Sequence, residues 1–185
     1  VTDGWSGGVL MSDLAELYRA HLTGSEPDLP ELPIQYADFA AWQRDLDSSS
    51  QLDYWREQLD GVAPVELPTD RSRPPVHTDN GDILEFRLSQ EVVDKLKSCT
   101  QQNNSTLFMA LVAACQILLQ RWSGQDDIAI GTVSSGRERT ELEQLVGFFV
   151  NTLVLRSTVD NSETFSRLLG NVRETVLQAF AHQEG

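Results

Sequence analysis

The stretch from Leu107 to Trp122, "LFMALVAACQILLQRW", sets the tightest limit on what this chain can fold into. Ser105 or Thr106 can cap its start and Gly124 can end it. Apolar residues fall on nearly every side, so the spacing predicts a central buried helix rather than a surface one. Strand patterns flank it. "DILEFRL" alternates, with Leu84, Phe86 and Leu88 on one face and Glu85 and Arg87 on the other, which reads as a half-buried strand. "DIAIGTV" and "FVNTLVLRSTV" are rich in β-branched residues and read as two more. Ser89 caps a predicted helix of about 14 residues, amphipathic through Val92, Val93 and Leu96. "RTELEQLVG" predicts a short helix, and Ser162 to His182 a long amphipathic one. The order strand, helix, helix, strand, short helix, strand, helix is an α/β layering with helices covering a sheet.

The first third differs. Val9, Leu10, Leu14, Leu17, Tyr18 and Leu22 recur at helical spacing before Gly24. After the proline-rich loop "SEPDLPELP", two short helices are predicted in "YADFAAWQRDL" and "QLDYWREQLDG". Residues 62–81 hold Pro64, Pro68, Pro74 and Pro75 and almost no periodicity, a linker composition. The expected organisation is therefore 1–61 as the end of an N-terminal lobe, 62–81 as linker and 82–185 as the first part of a C-terminal lobe. A helices-only first lobe implies that its sheet lies upstream of Val1, and the abrupt opening inside a motif suggests a piece of something longer.

Composition removes several classes. A net charge of −14 argues against nucleic-acid binding, which needs a basic footprint. No apolar run reaches the ~18 residues that span a bilayer, and no signal peptide pattern opens the chain. Cys99 and Cys115 sit in helical patterns and are expected to be buried reduced thiols, which fits a cytoplasmic protein. His21, His77 and His182 show no metal-ligand spacing, so no metal is expected.

"GWSGG", Gly4 to Gly8, satisfies the G-x-S-x-G spacing of a hydrolase nucleophile elbow. That reading needs a strand before Ser6 and a histidine after it, and the distant downstream candidate, His182, ends an amphipathic helix near the chain end. The fuller stretch "DGWSGG" instead resembles the tail of the His-His-x-x-x-Asp-Gly motif of nonribosomal peptide synthetase condensation domains. "YADFAAWQR" at Tyr36 to Arg44 is similar to that family's Tyr-x-Asp-Tyr/Phe-Ala-x-Trp-Gln motif, and "VGFFVNTLVLR" at Val146 to Arg156 to its Val-Gly-x-Phe-Val-Asn-Thr motif. "HQE" at His182 to Glu184 resembles the start of its His/Asn-Gln-Asp/Glu motif. Four motifs in order cover almost the whole chain.

The resemblance implies a chloramphenicol acetyltransferase-like, two-lobed α/β fold, incomplete in this chain, and an acyltransfer in which an acceptor amine attacks a donor thioester to form an amide. It implies that no cofactor is bound by the chain itself. Both substrates hang on the phosphopantetheine of donor and acceptor carrier domains, with an adenylation domain adjacent, no nucleic acid and no membrane. The second motif histidine would stand two places before Val1, so the chain retains no catalytic histidine and is expected to be inactive alone. Of the motif, Asp3 and Gly4 remain. The family pairs this Asp with an arginine from the second lobe, here Arg137 in preference to Arg139. Gly4 either lets backbone approach a substrate arm or is an ordinary turn glycine. Asn151 either faces the substrate tunnel or bonds neighbouring backbone. Ser6 is expected to begin a helix and cap backbone amides, with Trp5, Tyr36 and Trp42 as structural members of their motifs. Asp-Gly-Trp-Ser fits the elongation type better than epimerisation, usually Asp-Gly-Val-Ser-Trp, or heterocyclisation. Two alternatives stand beside this reading: a non-catalytic recruitment domain of the same fold, and a serine hydrolase using Ser6.

Overall fold

The computed structural model describes residues 1–184 apart from Arg73, His77 and Asp79, so the expectation for His77 lies outside the described residues. Helices α1 (Gly4–Thr23), α2 (Tyr36–Asp45) and α3 (Ser49–Gln58) come first, followed by α4 (Gln90–Gln102) and α5 (Leu107–Ser123). Strand β1 (Asp127–Ser134), a 3-10 turn (Thr140–Leu142), strand β2 (Asn151–Thr158) and helix α6 (Phe165–Ala181) complete the order. β1 and β2 form a two-stranded sheet. Among the described residues no single helix is long and apolar enough to cross a membrane.

Local chemistry accounts for the helix ends. Asp3 caps α1 by accepting the Ser6 N–H, and Gly24 stops it in the left-handed region at φ 65°. Ser89 caps α4 through the Val92 N–H and Thr106 caps α5 through the Met109 N–H, while Gly124 closes α5 at φ 72°. The predicted short helix in 139–147 is a single 3-10 turn.

The chain forms two compact units, each assembled from separated segments. The first comprises 1–55, 132–153 and 182–185. Its core gathers Phe39 of α2 with Leu142, Leu145 and Phe149, and Ile34, Tyr36 and Trp42 pack against it. Phe39 and Phe149 have ring centroids 4.7 Å apart, and Tyr36 meets Phe149 edge-on at 5.2 Å. The second unit comprises 56–131 and 154–181. There α5 packs on α4 and α6, with Ala110, Ala113, Ile128, Leu155, Leu169 and Val172 wholly buried. The buried Gln116 carboxamide on α5 donates to the Leu155 carbonyl at 3.2 Å, and Arg156 on β2 pairs with Asp127 on β1 at 2.7 Å.

Three expectations are corrected. α5 is not buried all round: Phe108, Leu111, Leu118 and Trp122 form an exposed stripe, because α4, α6 and the strands cover only its other faces. Cys115 lies on that stripe and is exposed, and Cys99 is only half-buried; both thiols are free. Residues 82–88 form no strand, and Ile83, Leu84 and Phe86 are about four-fifths exposed or more. Alternation marks a face, but a strand exists only where a neighbouring edge takes its hydrogen bonds. α1 likewise exposes Leu10, Leu14, Leu17 and Tyr18.

Candidate active-site loop

Asp3, Gly4, Trp5, Ser6, Tyr36, Trp42, Arg137 and Asn151 all fall in the first compact unit. Asp3 sits where the chain turns into α1, with extended backbone that aims its carboxylate back over the first turn. Its Oδ1 accepts the Ser6 N–H at 2.9 Å and the Ser6 hydroxyl at 2.8 Å, and its Oδ2 accepts the Phe149 N–H at 3.2 Å. The Arg137 guanidinium donates to both oxygens, at 3.1 and 3.3 Å. Both side chains of this pair are only 1% exposed. Arg139 instead lies over the Trp42 ring at 4.4 Å.

Arg137 is held on several sides. Its other terminal nitrogen donates to the carbonyls of Leu142 and Leu145, and its guanidinium lies 4.1 Å above the Phe149 ring. A planar fork that serves a carboxylate and two carbonyls at once is work that a lysine ammonium cannot reproduce.

Burial opposes the charge on Asp3, but the Ser6 amide and hydroxyl, the Phe149 amide and Arg137 outweigh it and hold the carboxyl at about 2, below its ordinary 3.8. A carboxyl depressed in the folded state contributes stability that is complete above the unfolded value and lost as pH falls through the folded one. Asp3 is therefore expected to supply about 2 kcal/mol above roughly pH 5, disappearing toward pH 2. The check is the unfolding free energy of a complete domain against its Asp3→Asn variant. The gap between them should narrow from pH 5 to pH 2, and a constant gap contradicts the assignment.

Ser6 does not begin the helix; Asp3 caps it and Ser6 lies inside its first turn. The Ser6 hydroxyl is wholly buried. It accepts the Gly147 N–H at 3.0 Å and an Arg137 N–H at 3.1 Å, and its single proton is shared between Asp3 Oδ1 and the Gly147 carbonyl, each at 2.8 Å. With both lone pairs and the proton engaged, the oxygen is not available to attack a carbonyl. His182 offers no base to it, for its ring stacks on Tyr54 at 3.9 Å and its carbonyl accepts the Trp55 indole N–H at 2.7 Å. A serine-directed fluorophosphonate is expected to leave Ser6 unlabelled, and labelling that vanishes in Ser6→Ala would restore the hydrolase reading.

The remaining predicted residues take tethering positions. Trp5 donates its indole N–H to the Glu143 carbonyl at 2.9 Å, and the Tyr36 hydroxyl donates to the Phe148 carbonyl at 2.9 Å. Gly4 is the first residue of α1, and a Cβ there would meet nothing within 4 Å. Asn151 bonds backbone on two sides, accepting the Thr152 N–H at 2.8 Å and donating to the Gln183 carbonyl at 2.5 Å. It also lines a cavity of about 280 Å³, together with Phe39, Trp42, Phe149 and Gln183. Two contributors escaped sequence reasoning. Gly147 brings its backbone against Ser6, and a Cβ there would run into the Tyr36 and Phe149 rings. Gln183 is buried and bonded to Ser134, Glu138 and Asn151. Their presence inside motifs was the available signal; their partners lie too far along the chain for spacing to reveal.

Compared with known families, residues 1–185 match the model described as "Condensation domain". The chain belongs to the condensation-domain family. It is 49% identical over 188 residues to a linear gramicidin synthase of Brevibacillus parabrevis, covering 99% of this chain and 4% of that protein. Among solved structures, the SgcC5 protein of Streptomyces globisporus aligns with a TM-score of 0.82 at 31% identity, over 98% of this chain and 42% of that one. The X-domain from teicoplanin biosynthesis aligns with a TM-score of 0.90 at 27% identity, over all of this chain and 43% of its own. The α/β fold is thus the condensation-domain fold, and the chain spans under half the length of these solved relatives.

Proposed function

We propose that these residues frame the amide-forming site of an elongation-type condensation domain, which joins aminoacyl or peptidyl groups delivered as thioesters on carrier proteins. The observation that carries this reading is the Asp3–Arg137 pair, 1% exposed and braced by Ser6, Gly147 and Phe149. It fixes the end of the loop that, by the family motif, would carry the paired histidines. A thioester is already activated, so alignment of amine and carbonyl supplies much of the rate. What remains is to handle the amine proton and stabilise the developing oxyanion, tasks for the second motif histidine two places before Val1. The chain alone is inactive on this reading because it lacks that group. The division into 1–61, 62–81 and 82–185 is the lobe organisation we assign to the whole domain. Donor and acceptor carrier domains are its partners, beside an adenylation domain in a cytoplasmic synthetase, and phosphopantetheine enters only with the carriers.

The test is to restore the complete domain, joining the natural upstream and downstream segments to this chain, and supply donor- and acceptor-loaded carriers. Mass spectrometry of the acceptor carrier should show the amide with the second histidine present and none when it is replaced by alanine. A second reading, a non-catalytic recruitment domain, draws support from the 0.90 TM-score to the X-domain, a protein also solved in complex with OxyB. Absence of amide from the complete wild-type domain with intact histidines would favour it.

A further inference from the structure

Gln183 has a use that its place near the end of the chain does not suggest. It is buried to 9% exposure, and its carboxamide meets two partners in one short segment. Oε1 accepts the Ser134 hydroxyl proton, and Nε2 donates to the Glu138 carboxylate. The orientation of the amide is dictated by chemistry, because an ionised carboxylate only accepts and must therefore face the NH2 group. Its backbone carbonyl also accepts from Asn151 at 2.5 Å. Ser134 and Glu138 are the two ends of a five-residue segment that carries Arg137. In its middle, Gly136 stands at φ 62°, where a Cβ would collide with the Phe149 carbonyl. The segment is therefore pinned at both ends by one side chain and at its centre by backbone contact.

We infer that Gln183 is a positioning residue for Arg137: by clamping Ser134 and Glu138 it fixes the guanidinium that holds Asp3, and with it the loop leading to the histidines. Its effect on amide formation rests on the function proposed above; its effect on the pair does not. Gln183→Glu keeps the acceptor for Ser134 but sets two carboxylates against each other at Glu138. Adding Glu138→Gln restores a donor–acceptor pair with its direction reversed. In the complete domain, Gln183→Glu is expected to lower kcat by roughly tenfold to a hundredfold with KM for the loaded acceptor carrier little changed, as displacement of a positioned group does. Gln183→Glu with Glu138→Gln should recover most of the rate.

A stability cycle tests the route independently of catalysis. The fall in Tm on Gln183→Glu should shrink in an Arg137→Ala background, because the group being positioned is gone. The Gln183→Glu/Glu138→Gln protein should melt near wild type even where Gln183→Glu alone fails to fold. Equal falls in Tm with and without Arg137, or no rescue by Glu138→Gln, overturn the inference. A complete wild-type domain that makes no amide but shows the coupled Tm effects would defeat the proposed function and leave the clamp standing.

Discussion

Arg137→Ala is expected to destabilise the complete domain by about 3 to 5 kcal/mol, the range for breaking a buried ion pair by removing one partner. The substitution strands the Asp3 carboxylate, which the fold holds ionised, and takes the donor from the Leu142 and Leu145 carbonyls. It also removes a cation from above the Phe149 ring. Asp3→Ala should cost a similar amount by a different route. It strands the guanidinium, orphans the Ser6 and Phe149 amides and removes the cap of α1. The two losses share one network, so the double variant should lose clearly less than the sum. Arg137→Lys should retain charge yet recover only part of the stability, since an ammonium cannot reach Asp3, Leu142 and Leu145 together. Denaturant unfolding of the domain and its four variants reads all of this. Unchanged midpoints for both Asp3→Ala and Arg137→Ala would show that the pair stabilises nothing.

Gly136→Ala should be the most damaging single methyl in the first compact unit. Gly136 occupies the left-handed region, where an alanine costs about 1 to 2 kcal/mol by itself. Its Cβ would also meet the Phe149 carbonyl, and backbone cannot swing aside as the tip of a long side chain can. Relieving that collision moves Phe149, whose N–H binds Asp3 and whose ring lies beneath Arg137. The sum is expected to reach about 3 kcal/mol or more. Gly124→Ala is the control. That residue has φ 72° and nothing within 4 Å of a Cβ, so it should show the backbone cost alone. Equal losses at the two positions would mean that the close approach at Phe149 carries no energy.

The element boundaries and the motif chemistry were written locally. Helix α1 stops before Gly24 and α5 starts after Thr106 because capping depends on residues within one turn of the end, and those are adjacent in the chain. The preference for Arg137 over Arg139 was legible through the family motif, which names an arginine partner for Asp3. Where no family motif names the partner, contacts between residues 45 to 141 positions apart were not legible. Nothing local tells Ser6 that its hydroxyl meets Gly147, or that Gln183 spans Ser134 and Glu138. The same reason explains the misread stretches. Periodicity in Leu84, Phe86 and Leu88 describes a face suited to burial, and apolar residues all round α5 describe a helix willing to be covered on every side. Willingness to be buried is a property of side chains and was determined by the sequence. Actual burial needs a second surface at the right place, and only the tertiary structure decided where α5 found one, where residues 82–88 did not, and how Asp3 and Arg137 came to lose their water together.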